Sequence, residues 1–179
     1  MARTRRSNTC LAAVFAVALA GCETVDSIVT PTVPPPCPAV AKVEDAAKLT
    51  RFTGGGRDLT DVLFEAELTD ISAACSASSD TIDVASRIRF VISRGPADTT
   101  RRADFRYFVA VSTRDKRIVG REVFETGVDF PGNHTRASVI EELEQEIPIR
   151  EGEEGERYVI FFGFELSEDE LAFNRKLAQ

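Results

Sequence analysis

Tryptophan is absent from the 179 residues, histidine occurs once, as His134, and methionine once, at the start. A lone imidazole excludes a metal centre built on several histidines, and no Gly-x-Ser-x-Gly nucleophile motif accompanies it, so His134, in the turn-like "GNHT", is read as an exposed loop residue. No Cys-x-x-Cys is present, which argues against a thioredoxin-type redox role. "TGGGRDLT" lacks the Gly-Lys-Ser/Thr ending that meets phosphates and magnesium, and is read as a flexible turn. Lys and Arg total 22 against 29 Asp and Glu, a net charge of -7, which argues against a general nucleic-acid footprint. Nor is there a membrane span: the apolar run at residues 11 to 20 is ten residues long, where a bilayer takes about 20.

What is there begins at the N-terminus. Arg3, Arg5 and Arg6 form a basic region, the apolar run follows, and small residues precede Cys22, the pattern of a secretory signal. Leu19-Ala20-Gly21-Cys22 resembles the lipobox of bacterial lipoproteins. That resemblance implies cleavage before Cys22 and a diacylglyceryl thioether on its sulfur, with a further acyl chain of the palmitate kind. Each buried methylene contributes about 0.8 kcal/mol, so several chains hold a protein on a bilayer for its lifetime. Residues 1 to 21 are then signal peptide, 22 to 38 anchor and linker, and 39 to 179 the domain. Losing the signal leaves 19 basic and 29 acidic residues, a net charge of -10. The anchored protein is expected to face the periplasm, and glutamate rather than aspartate at position 23 inclines the reading to the outer membrane.

Between Cys22 and Cys37, Pro31, Pro34, Pro35 and Pro36 fix φ and remove amide donors, which excludes a helix or an inner strand. The segment reads as a spacer that, fully extended, holds the domain on the order of 40 Å from the bilayer. With Cys10 in the signal and Cys22 in the anchor, Cys37 and Cys75 are left, and an oxidising periplasm favours their joining in a disulfide.

From residue 61 apolar residues recur at every second position, the period of half-buried strands. Ile82, Val84, Ile88, Phe90 and Ile92 share one parity, as do Val62, Phe64, Ala66 and Leu68, and Phe105, Tyr107, Val109 and Val111. Around Tyr158, Ile160, Phe162 and Phe164 the other face also carries Val159 and Phe161, which predicts a central strand. Weaker candidates are 39 to 43, 48 to 53 and 117 to 125, separated by turns at 54 to 56, 94 to 98 and 130 to 133. Residues 137 to 149 suit either period; Pro148 weighs for a strand, in which Glu141 and Gln145 interrupt the apolar face.

About eight strands without intervening helices point to an all-β antiparallel sandwich. "EGERYVI" resembles the tyrosine corner of immunoglobulin-like sandwiches, with Gly155 three residues before Tyr158 and Ile160 where antibody domains carry a cysteine. The expectation is an immunoglobulin-like fold of the generic kind. A short C-terminal helix should start at a capping box of Ser167 and Glu170, with Leu166 stapled to Leu171 and with Phe173 and Leu177 packed on the sandwich.

Charge is unevenly distributed: residues 87 to 121 sum to +7 and residues 122 to 156 to -9. Neutralisation between neighbouring strands accounts for this more simply than a basic face opposed to an acidic one. "REGEEGER" is read as a solvated hairpin tip rather than a calcium loop. The functional expectation is a non-enzymatic, lipid-anchored envelope protein that binds or scaffolds an envelope protein partner, with no cofactor and no nucleic acid. A periplasmic hydrolase working through carboxylates stays open, although nothing selects a pair such as Asp58 with Asp61, or Glu65 with Glu67, from 29 acids. So does a lipid or small-ligand carrier, which would need an apolar cavity between the sheets.

Overall fold

The computed structural model describes residues 36 to 150 and 153 to 177. The signal, Cys22 and the spacer through residue 35 lie outside the described residues, as do residues 151 and 152 of the acidic segment. Eight strands follow in order: β1 Ala39–Lys42, β2 Lys48–Phe52, β3 Val62–Ala77, β4 Thr81–Arg94, β5 Arg102–Thr113, β6 Ile118–Asp129, β7 Arg136–Pro148 and β8 Tyr158–Phe164. Helix α1, Glu168–Leu177, closes the chain. The strands form two four-stranded sheets, ordered β1-β8-β5-β6 and β2-β3-β4-β7.

The alternating parities become the two inner faces. Leu68, Ile88, Phe90, Ile92, Ile160 and Phe162 are fully buried between the sheets. Phe90 of β4 lies 5.3 Å from Phe105, 5.1 Å from Tyr107 and 5.3 Å from Phe164, ring centroid to centroid, so aromatic rings from one sheet fill the space in front of the other. Such pairs add about 0.5 to 1.5 kcal/mol each beyond their buried area.

Residues 137 to 148 lie in an edge strand, β7, as Pro148 suggested, and the interruptions find partners. Glu141 points between the sheets and accepts hydrogen bonds from the hydroxyls of Thr126 at 2.6 Å and Tyr107 at 3.4 Å. The amide oxygen of Gln145 accepts from the Ser86 hydroxyl at 2.8 Å. Both polar groups are thereby satisfied where an unpaired one would cost 1 to 3 kcal/mol, to order of magnitude.

Three details differ from expectation. Pairing is antiparallel except at β1, which runs parallel to β8 with Ala39 opposite Val159, because the start and end of the domain meet in one sheet. The acidic segment before β8 is a crossover between sheets, not a hairpin tip, since β7 and β8 belong to different sheets. Strand β3 outruns its apolar pattern: the register shifts between Leu68 and Asp70, and β3 then continues as far as Ala77. That bulge resets the parity, so Ile71 and Cys75 rejoin the inner face.

The capping box forms as read: the Ser167 N–H donates to the Glu170 carboxylate at 2.8 Å, and the Glu170 N–H to the Ser167 hydroxyl at 3.3 Å. Phe173 packs edge-on against Phe52 of β2, centroids 5.1 Å apart, whereas Leu177 is 70 % exposed.

Candidate functional site

The start of α1 and the β8–α1 link lie beside β5, β6 and Arg51 of β2. Together they bound a groove of about 830 Å³. Arg51 of β2, Glu170 of α1, Arg102, Asp104 and Arg106 of β5, and Glu165 and Ser167 are among its lining residues. Alternation puts these β5 side chains outward, because Ala103, Phe105 and Tyr107 take the inner face.

Its charges are interleaved. Arg51 meets Glu170 at 3.1 Å and Arg106 meets Glu165 at 3.8 Å, while Arg121 also pairs with Glu165 and stacks its guanidinium 4.7 Å from the Phe108 ring centroid. Arg102 bridges Asp104 at 2.8 Å and Asp129 at 3.1 Å, hydrogen bonds that raise its pKa further above its ordinary value. Gly127, facing Asp104 across the β5–β6 pair, leaves the room this bridge needs: a Cβ there would stand 2.2 Å from Asp104 Oδ1. A surface of this kind offers guanidinium and carboxylate groups side by side, suited to a ligand carrying both signs, such as a polypeptide segment.

The same pairing explains the uneven charge of the sequence. Arg87 lies opposite Glu142 on β7, Arg102 opposite Asp129 and Arg106 opposite Glu125 on β6. Acidic and basic stretches are neighbouring strands and neutralise one another across the ladder.

A second feature lies just ahead of β1. Cys37 and Cys75 form a disulfide, joining the residue two before β1 to the end of β3. Gly155 of the β7–β8 crossover lies beneath it: a Cβ at 155 would stand 2.1 Å from the Pro36 carbonyl oxygen and 3.0 Å from Pro38. The Tyr158 hydroxyl donates to the Glu153 carboxylate at 3.1 Å, so its partner is a side chain rather than the backbone group of a tyrosine corner. Burial and this carboxylate raise the Tyr158 pKa. The Glu153 carboxyl is lowered chiefly by the Arg150 N–H, against some burial, with help from Tyr158.

Other residues singled out in the sequence are dispersed. His134 is exposed in the β6–β7 turn, its N–H bonded to the Pro131 carbonyl at 3.1 Å. Asp58 and Asp61 turn on each other, the Asp58 N–H donating to the Asp61 carboxylate at 3.1 Å, and Glu67 pairs with Lys48 at 3.7 Å. Among the described residues no group of three or more His, Cys, Asp or Glu is arranged to hold a metal ion, and no helix is long and apolar enough to cross a membrane.

Fold and surface thus define a disulfide-braced β-sandwich with a charged groove. No protein-family profile and no curated protein matches the chain. Among solved structures it is similar to the variable (V) domain of the Streptococcus agalactiae AgI/II polypeptide BspA, at 10 % identity over 70 % of this chain and 77 % of that one. The TM-score is 0.19, and the likeness carries no argument about fold or function.

Proposed function

We propose that the chain is a lipid-anchored protein of the bacterial cell envelope whose immunoglobulin-like sandwich is held off the membrane on a proline spacer and binds or scaffolds another envelope component without catalysing a reaction. The observation that carries this reading is the junction at Cys37. A disulfide to β3, the close approach at Gly155 and the parallel pairing of β1 with β8 together fasten the domain at the point where the spacer leaves it. Such fastening suits a domain tethered from its N-terminus, and a disulfide there suits an oxidising compartment. The groove of interleaved charge supports a polypeptide ligand, and the lipobox supports the anchor at Cys22.

The anchor is tested by the mass of the N-terminal peptide of the mature protein and by its partition into detergent. Acyl mass on Cys22 and a detergent-phase protein, with Cys22→Ser left in water, is the expected result. A mature start elsewhere without fatty acid overturns it. Binding is tested with a photo-crosslinker at Arg106, in the groove, and at Arg89, on the outer face of the other sheet. The reading expects an envelope protein captured from position 106 and not from 89; equal capture, or none, counts against the groove.

A further inference from the structure

The β1-β8-β5-β6 sheet ends in a long strand whose outer edge no strand among the described residues fills. Strand β5 turns its even-numbered residues toward β8, the Glu165 N–H donating to the Arg106 carbonyl at 2.9 Å, and its odd-numbered residues toward β6, the Phe130 N–H donating to the Arg101 carbonyl at 2.8 Å. Antiparallel pairing alternates, so even-numbered residues of β6 bond to β5. The N–H and C=O groups of Arg121, Val123, Glu125 and Gly127 then point off the sheet, and among the described residues no strand pairs with them.

The side chains on this edge are self-complementary. Place a second β6 antiparallel to the first, about a twofold axis at Val123. Val123 then meets its own copy, Arg121 meets Glu125 of the second copy, and Glu125 meets the second copy's Arg121. These residues are all odd-numbered, so each pair is of the doubly hydrogen-bonded kind. The rows across the sheet continue. Val123 lies beside Phe108 and Phe108 beside Gly163, so an apolar row runs through the axis into its copy. On either side, Arg121 is followed by Glu125, Arg106 and Glu165 of the other copy, charges alternating in sign. A slip by two residues sets Arg121 or Glu125 against Val123, so the ion pairs fix the register.

Other edges lack this match. The Arg94 N–H donates to the Thr135 carbonyl at 2.7 Å, which turns the even residues of β7 outward. Those include Glu142, Glu144 and Glu146 and end at Pro148, a row that repels its own copy and blocks extension. Strands β1 and β2 are only four and five residues long. Val123, by contrast, is 36 % exposed and Val119 49 %. We infer that β6 is a homodimer interface, at which a second copy of this chain adds across a twofold axis through Val123 and joins the two sheets edge to edge.

The test uses the full mature chain in detergent micelles. Oxidised Val123→Cys should give a covalent dimer on a non-reducing gel, because the paired Cα atoms would stand about 5.5 Å apart. Arg121→Cys alone and Glu125→Cys alone should give at most about a tenth of that yield, since each would stand far from its own copy. An equal mixture of the two should crosslink, with the remaining Arg121 and Glu125 still forming one ion pair. The unsubstituted chain should sediment as a dimer. A monomer at every concentration, no crosslink at position 123, or crosslinking of Arg121→Cys as readily as Val123→Cys would each overturn the inference; the last is the signature of random contact in a shared micelle.

Discussion

Asp98 is the residue on which the β4–β5 connection turns. Its carboxylate is 6 % exposed and accepts from Arg94 Nε at 2.5 Å, from the Thr100 N–H and hydroxyl at 2.8 Å, and from the Arg101 N–H at 3.0 Å. Burial would raise its pKa, but these hydrogen bonds outweigh burial and hold it at about 2 instead of 3.8. A carboxyl depressed on folding contributes stability that is complete above its unfolded pKa and disappears as pH falls through the folded one. The contribution, about 2 kcal/mol, should therefore be present at neutral pH and lost between about pH 4 and pH 2. Asp98→Asn should cost about 3 kcal/mol in urea unfolding at pH 7, with the two proteins converging toward pH 2.

The same scale separates two strained residues. Arg101 and Lys116 both have left-handed backbone, φ 59° and 67°. Lys116 sits at the exposed β5–β6 turn, and Lys116→Gly should stabilise by about 0.5 to 1 kcal/mol, the relief of strain less the entropy of a freer unfolded chain. Arg101→Gly should destabilise instead. Its guanidinium donates twice to the Phe130 carbonyl, at 3.1 Å each, and that loss exceeds the relief. Thermal midpoints of the two variants, moving in opposite directions, check this.

At the scale of elements, α1 is held by few groups. No residue of the helix is fully buried. Besides Arg51–Glu170 and Phe52–Phe173, Asn174 docks it, donating from one amide nitrogen to the carbonyls of Asp45 and Lys48, both at 2.8 Å, while Arg175 meets Asp45 at 2.8 Å. Asn174→Ala should speed hydrogen exchange across 168 to 177 by about tenfold or more, since both hydrogen bonds are lost, with global unfolding in urea almost unmoved. The start of this helix was legible in sequence because a capping box is a local pattern. Its docking was not: an asparagine on a polar helix face looks solvated, and its partners lie 129 and 126 residues away. The strands divide similarly. Parity exposed the inner faces of β3, β4, β5 and β8, since burial on one side leaves a period of two. Parity carries no information about which strands are neighbours, so the parallel β1–β8 pair and the crossover before β8 had to come from the structure. The groove was illegible for the same reason, being assembled from β2, β5, the β8–α1 link and α1.

For the whole molecule, the question is how far the fold depends on what precedes it. Cys37 lies two residues ahead of β1 and is among the described residues. The disulfide spans 38 residues of sequence, a loop whose closure in the unfolded chain stabilises by about 4 kcal/mol. A chain starting at Val33 keeps that closure, the Pro36 contact at Gly155 and β1; one starting at Ala39 keeps β1 and loses the other two. The first should therefore unfold at the temperature of the full chain. The second should unfold roughly 10 to 15 °C lower, which is the loop-closure energy divided by an unfolding entropy for a domain of this size. Adding reductant should lower the first toward the second and leave the second unchanged, because a chain without Cys37 holds no disulfide to reduce. Scanning calorimetry of the two chains, each with and without reductant, decides whether the residues just ahead of β1 are merely the end of a spacer or part of the domain. Equal midpoints would place the stabilising work in the sandwich alone.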